Sequence, residues 1–209
     1  MGTPATTPPP ADLTTTADVR IEHLDVVFAR GDPAYCWCQW DRLRGKAFDD
    51  LERSERRELT AGLLDDAHDG SAPSPGVVAL AGDEPVGWCA VAPRTDLPRL
   101  FTSPSALKTL PEEQREDDGT WSVTCFAVRP GHRRQGVAGL LLDAAVEHAF
   151  GNGASAVEAY PVDVAQKPRT SSSGLYRGTL TLFLTHGFEV TARPTPGRAV
   201  VRRPAPPAT

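Results

Sequence analysis

The stretch Val128-Arg129-Pro130-Gly131-His132-Arg133-Arg134-Gln135-Gly136-Val137-Ala138-Gly139-Leu140-Leu141-Leu142 decides the fold. Residues 121–128 before it are rich in β-branched and aromatic types and predict a strand. Pro130-Gly131 turns the chain, and a leucine-rich helix begins near Gly136. A strand that turns into a helix leaves the first helical N–H groups without carbonyl partners, and the helix dipole adds positive potential there. Such a junction binds anions, phosphate above all. Gly136, Ala138 and Gly139 keep the first turn bare, so a phosphate can approach the main chain closely.

Working outward, residues 136–150 predict an amphipathic helix, with Val137, Leu140, Leu141, Ala144, Ala145 and Ala149 on one face. Gly151 and Gly153 stop it. Residues 154–160 predict a second strand, so the helix is a right-handed crossover between parallel strands. Upstream, 77–81 and 86–91 around Gly82-Asp83-Glu84-Pro85 predict a hairpin. Residues 93–119 are a long polar connection, with a short helix near 105–110. Downstream come a short helix at 179–186 and strands at 188–192 and 199–202. Residues 19–28 allow a strand followed by a short helix. Residues 49–67 look helical, with Leu59, Leu63 and Ala67 on one stripe and Glu52/Arg56 as a polar-side pair. The fold class is mixed α/β, α+β-like: a mostly antiparallel twisted sheet with one parallel β-α-β crossover.

Composition bounds the rest. The chain has 209 residues, of which 40% are hydrophobic and 23% charged, which suits one globular domain. Residues 1–17 are Pro- and Thr-rich and read as a disordered tail, 18–203 as the domain, and 204–209 as a second tail. The net charge of −5 disfavours nucleic acid as a partner. No apolar run approaches the roughly 20 residues of a membrane span, so no membrane partner is expected. Residues 1–16 carry no Lys or Arg and no apolar core, unlike a signal peptide. The four cysteines, Cys36, Cys38, Cys89 and Cys125, read as reduced thiols of a cytoplasmic protein.

A P-loop would need Lys-Ser/Thr after the glycines, and a dinucleotide fingerprint would need G-x-G-x-x-G near the chain start; neither is present. The pattern R-x-x-G-x-A formed by Arg133, Gly136 and Ala138, directly after a strand, resembles the acetyl-CoA signature of the GNAT acetyltransferase superfamily. The order of elements from about residue 77 to 202, including Gly187-Phe188, resembles that family as well. The resemblance implies the GNAT fold and an acyltransferase that moves an acetyl group from acetyl-CoA to the primary amine of a small molecule, by direct attack in a ternary complex. It implies that Phe126, Ala127 and Val128 offer main-chain groups to the pantetheine arm. Arg133, Arg134, Gln135, Gly136, Val137, Ala138 and Gly139 would hold the pyrophosphate. The alternatives are a CoA-binding regulatory module without turnover and a protein or peptide N-acetyltransferase. A monomer or homodimer is expected.

The family commonly places a proton-donating tyrosine four residues before a Gly-Phe pair, and here that position is Phe183, which has no proton to give. Tyr160, at the end of the strand after the helix, and Tyr176, before the last short helix, are the substitutes. Glu158 shares the strand face of Tyr160 and is the candidate base, with Asp163 second. The strand carrying Cys125 has no carboxylate.

Tyr35-Cys36-Trp37-Cys38-Gln39-Trp40 concentrates thiols and aromatics. A zinc site needs four ligands and no compact His/Cys cluster completes one, so no metal is expected. A thiol nucleophile would need a partner base, and no His stands at an evident spacing. The preferred reading is structural, with the cysteines as small buried hydrophobes. In the family comparison this segment walls the acceptor site, and Trp37, Trp40 and Trp88 are expected to shape a pocket for a cationic or flat amine. The acidic run Glu112, Glu113, Glu116, Asp117 and Asp118 reads as a solvated loop that would draw in such a cation.

Overall fold

A computed structural model describes residues 12–102, 117, 119–166 and 172–207. Its strands are β1 (Leu13–Thr16), β2 (Gly76–Ala81), β3 (Glu84–Pro93), β4 (Thr120–Val128), β5 (Ala156–Ala159), β6 (Glu189–Thr195) and β7 (Arg198–Pro204). They form one sheet in the order β1-β2-β3-β4-β5-β7-β6. Every neighbour pair is antiparallel except β4–β5. The helices are α1 (Ile21–Val27), α2 (Asp32–Cys36), α3 (Lys46–Asp49), α4 (Arg53–His68), α5 (Val137–Gly151) and α6 (Leu180–Thr185).

Strand alternation builds two cores on opposite faces of the sheet. Val77, Ala79, Cys89, Val91 and Phe126 pack with Leu141, Leu142, Ala145 and Val146 of α5. Val78, Trp88, Ala90 and Ala127 face the other way, against Leu24, Val27, Phe28, Trp37 and Leu64. Each fully buried Leu or Val contributes about 1.5–3 kcal/mol relative to exposure, so α5 is held mainly by its buried face.

The parallel pair stops at Val123↔Ala159, while β4 continues to Val128. At that point the β3–β4 register slips: Ala90 faces Cys125 and Val91 faces Val123, so Thr124 is an extra residue in β4. Such a bulge bends its strand. Beyond it β4 has β3 on one side and no paired strand on the other, and the opening so made holds the site.

Several expectations are corrected. Leu13–Thr16, assigned to the N-terminal tail, pair with β2 from Leu13↔Ala81 to Thr16↔Val78. Their β-branched threonines suit an edge strand, whatever the composition around them. Pro204, assigned to the C-terminal tail, closes β7, and Ala205 N–H donates to the Ser155 carbonyl at 2.9 Å. Residues 19–28 contain a helix and no strand. On α4 the buried stripe is Arg56, Thr60 and Leu64, while Leu59 is exposed. Arg56 is not half of a surface pair. The short helix expected near 105–110 and most of the acidic run lie outside the described residues.

Candidate functional site

Two cavities flank the free half of β4. The first is a cleft of about 440 Å³ lined by Phe126 and Val128 of β4, His132 to Arg134, Gly136 to Gly139, and Tyr176 to Thr185 in part. It contains nearly all of the residues expected at a pyrophosphate. Arg134 has φ 60° and Gly136 φ 79°, so the loop curls back twice before α5 begins. Gly136 supplies the second curl without steric cost. No side chain caps α5. The N–H groups of Gly139 and Leu140 both turn to the Gly136 carbonyl, at 2.9 and 3.1 Å. The amides of Val137 and Ala138 precede them in the first turn, which is the arrangement that receives a phosphate. A Cβ on Gly139 would stand 2.9 Å from His186 Nε2, so this glycine lets α6 approach α5. Arg133 is committed elsewhere, since its Nε donates to the Val128 carbonyl at 2.9 Å. Ala127 points away, into the core with Trp88, although its main chain stays on the strand. Gln135 does not line the cleft; its amide donates to the Gly131 carbonyl at 3.0 Å and braces the turn.

The second cavity, about 730 Å³, opens at the bulge itself. Tyr35, Cys36, Cys38, Trp40, Asp41 and Phe48 come from the N-terminal third; Thr124 and Cys125 from β4; Tyr160, Tyr176, Arg177 and Arg198 from beyond it. Tyr176 borders both cavities, and no other described residue does. Burial, then the nearby Asp32 carboxylate, pushes its phenol above the usual range, so it keeps its proton at neutral pH.

The other sequence candidates fall elsewhere. The Tyr160 ring borders the second cavity, but its hydroxyl donates to Glu158 Oε1 at 2.6 Å and contacts Ser122 Oγ at 3.0 Å. Burial, followed by the Glu158 charge, raises its phenol well above the usual range. Glu158 is 4% exposed and lines neither cavity. Arg94 Nη1 lies 3.3 Å from its Oε1 and Arg202 Nη1 3.9 Å from Oε2. Asp163 pairs with Arg193 at 2.8 Å and also lies off both cavities. The Arg193 guanidinium holds its carboxyl below the usual range.

Of the three tryptophans, only Trp40 reaches the cavity. Trp37 and Trp88 are 1% exposed and pack around Phe28, with ring centroids 5.3 and 6.5 Å away. The reason is local: Trp37 and Cys38 both adopt left-handed backbone, at φ 47° and 56°. Bulky residues rarely do so. The kink drives Trp37 into the core and returns Cys38 to the cavity wall, where its Sγ accepts from Trp88 Nε1 at 3.2 Å. Cys38 also bonds to Cys125 and Cys36. Thiol–thiol hydrogen bonding and burial push both Cys36 and Cys38 well above the ordinary thiol range. Among the described residues no His/Cys/Asp/Glu group has the geometry to hold a metal.

The aromatic wall is fixed by arginines. Arg56, 2% exposed, sits 4.2 Å from the ring centroids of both Tyr35 and Phe48 and donates to the carbonyls of Tyr35, Phe48 and Leu51. Arg99 stacks 3.9 Å from the Trp40 ring. Cation–π partners from within the protein therefore already cover faces of these rings. Sequence reasoning missed Asp41, Arg177 and Arg198, which lie far apart in the chain and meet only through the sheet.

A family model described as the acetyltransferase (GNAT) family matches residues 37–177. The chain belongs to that family and is an N-acetyltransferase by class. The fold is similar to PaiA N-acetyltransferase from Thermoplasma acidophilum, solved with coenzyme A: 12% identity, 92% of this chain and 99% of that one covered, TM-score 0.52. It is similar to YncA from Salmonella typhimurium, solved with its cofactor acetyl-CoA, at 12% identity, 94% and 96% coverage and TM-score 0.53. A ribosomal-protein-alanine N-acetyltransferase from Brucella melitensis gives 13% identity, 92% and 99% coverage and TM-score 0.53. No curated protein sequence matches the chain. Among the described residues no helix is long and apolar enough to cross a membrane.

Proposed function

We propose that the protein moves an acetyl group from acetyl-CoA to the primary amine of a small molecule, with both substrates bound together. The observation that carries this reading is the position of Tyr176, at the seam between the cleft and the second cavity. The bare α5 N-terminus and the curled loop suit the pyrophosphate, and the unpaired side of β4 suits the pantetheine arm as an added strand would. Two structural neighbours were solved with coenzyme A or acetyl-CoA, which agrees with that use of the cleft. Bound acetyl-CoA supplies a thioester, an acetyl group already activated for attack. The acceptor enters from the second cavity, which is enclosed enough for a small molecule.

Tyr176 is the proposed general acid. Its raised phenol retains the proton until the thiolate leaves, then gives it to sulfur. This replaces the tyrosine missing at Phe183, whose ring is wholly buried against Phe126 and Phe188. Glu158 is held by Tyr160 and two arginines, so it braces the sheet, and the amine loses its proton to solvent. Thiol release from acetyl-CoA with a panel of amines tests the reading. Acceleration by at least one small amine is expected, and acceleration by none, with acetyl-CoA bound, overturns it in favour of a CoA-binding module.

A further inference from the structure

The inner wall of the second cavity carries unbalanced charge. Asp41, 7% exposed, faces Arg177, whose Nη2 donates to Asp41 Oδ1 at 2.6 Å. Arg198 lines the same cavity, and its guanidinium makes one long bond, 3.4 Å, to the Tyr160 carbonyl. Among the described residues it has no carboxylate partner. Two cations and one anion leave one positive charge. Arg177 Nη1 is shielded from solvent and has no hydrogen-bond partner among the described residues. A shielded guanidinium N–H without an acceptor is unfavourable, and a ligand oxygen would satisfy it. Both guanidiniums line this one cavity, where burial, then repulsion from Arg177, lowers the basicity of Arg198. Asp32, the other lining carboxylate, is exposed, so solvent screens its charge.

Resting on the acetyl-transfer reading, we infer that the acceptor is an α-amino acid with an apolar side chain, its carboxylate held by Arg177 and Arg198. A single unbalanced positive charge suits a monoanion, and planar guanidinium donors match a carboxylate. Arg177 directly follows Tyr176, the residue at the seam, so the anion is bound beside the reacting end. That places the carboxylate next to the amine and not at the far end of a longer molecule. The side chain then lies toward Trp40, Phe48 and Leu100. Arg56 and Arg99 already stack on that wall, so it favours an uncharged group over a second cation.

The test compares amines that differ only in the carboxylate: phenylalanine with 2-phenylethylamine, and leucine with 3-methylbutylamine. The amino acid of a pair is expected to be acetylated with a kcat/KM about 10- to 100-fold higher, the effect of a charge-assisted contact. Arg198→Gln brings that ratio to near one, and Arg198→Lys restores part of it. If both members react equally, or the decarboxylated amine reacts better, the inference falls while acetyl transfer stands. If no amine reacts, acetyl transfer falls, and calorimetric titration of the CoA-loaded protein decides the rest. N-acetylphenylalanine should then bind at least tenfold more tightly than N-acetyl-2-phenylethylamine, and Arg198→Gln should remove the difference. Equal binding, or none, overturns the carboxylate site.

Discussion

The Tyr160 hydroxyl donates to Glu158 Oε1 at 2.6 Å, whereas Tyr176 borders both cavities of the site. The two tyrosines that sequence left as equal candidates therefore have different work. Tyr160→Phe removes one buried hydrogen bond to a charged acceptor and should lower stability by about 1–3 kcal/mol, with kcat within a few-fold of the parent. Tyr176→Phe should leave stability nearly unchanged and lower kcat by about 100-fold or more, as loss of a general acid does. Denaturant unfolding and steady-state kinetics on the same two proteins check this; the reverse pattern would reject Tyr176 as the acid.

Gly136→Glu places a side chain and a negative charge at the mouth of α5, on a residue with φ 79°. Acetyl-CoA affinity should fall by at least about 100-fold, from repulsion of phosphate and from strain of the loop that presents the N–H groups. Fluorescence or calorimetric titration measures it, with circular dichroism to show that the variant folds. Unchanged affinity in a folded variant would remove the pyrophosphate from this loop.

Cys36 and Cys38 line the second cavity, yet their thiols are held protonated, Cys36 by its bond to Cys38 and by burial, Cys38 by its bond to Cys125 and by burial. Thiolate is the reactive form, so both should resist alkylation at neutral pH. Mass spectrometry after iodoacetamide treatment at pH 7.5 should find neither modified in the native protein, and both modified after denaturation. Rapid native labelling would revive a nucleophilic role for this pair.

The fold was legible because its signals are local and repetitive. Residues 121–128 alternate between two cores, 136–150 keep one apolar face, and Gly136 marks the turn between them. The second cavity was not legible, for two physical reasons. Trp37 and Cys38 occupy left-handed backbone that no propensity favours, so the direction of each aromatic in the Tyr35–Trp40 stretch could not be read from period or composition. Arg56 looked like a surface partner of Glu52 because charge at a helical spacing normally means solvent. Its burial depends on the carbonyls of Tyr35 in α2, Phe48 in α3 and Leu51 beyond α3, which only tertiary structure brings together.

That position of Arg56 makes it a fastener of the aromatic wall of the second cavity. Arg56→Lys keeps the charge but loses the planar fork that reaches the Tyr35, Phe48 and Leu51 carbonyls at once. Stability should fall by about 1–3 kcal/mol, the cost of leaving buried carbonyls unpaired. KM for the amine should rise while acetyl-CoA affinity stays, since the cleft is built from other elements. Equal losses on both substrates would show that the two cavities are not independent.

His148 gives the pH dependence of stability a separate signature. It lies on α5, 5.7 Å from the Trp121 ring, with Nε2 2.9 Å from the Ser74 carbonyl. Burial lowers its pKa below the ordinary value of 6.5. Above about pH 6.5 the imidazole is neutral in both folded and unfolded chains and contributes nothing to the slope. As pH falls below that value the unfolded chain takes up a proton that the folded one resists, so stability declines. Asp25, Asp117 and Asp163 have depressed values, and their contribution is lost only as pH falls below about 4. Chemical denaturation from pH 8 to 3 should therefore show two declines, one from about pH 6.5 and one below about pH 4. His148→Gln should flatten the first and leave the second; a first decline that survives the substitution would assign it to another group.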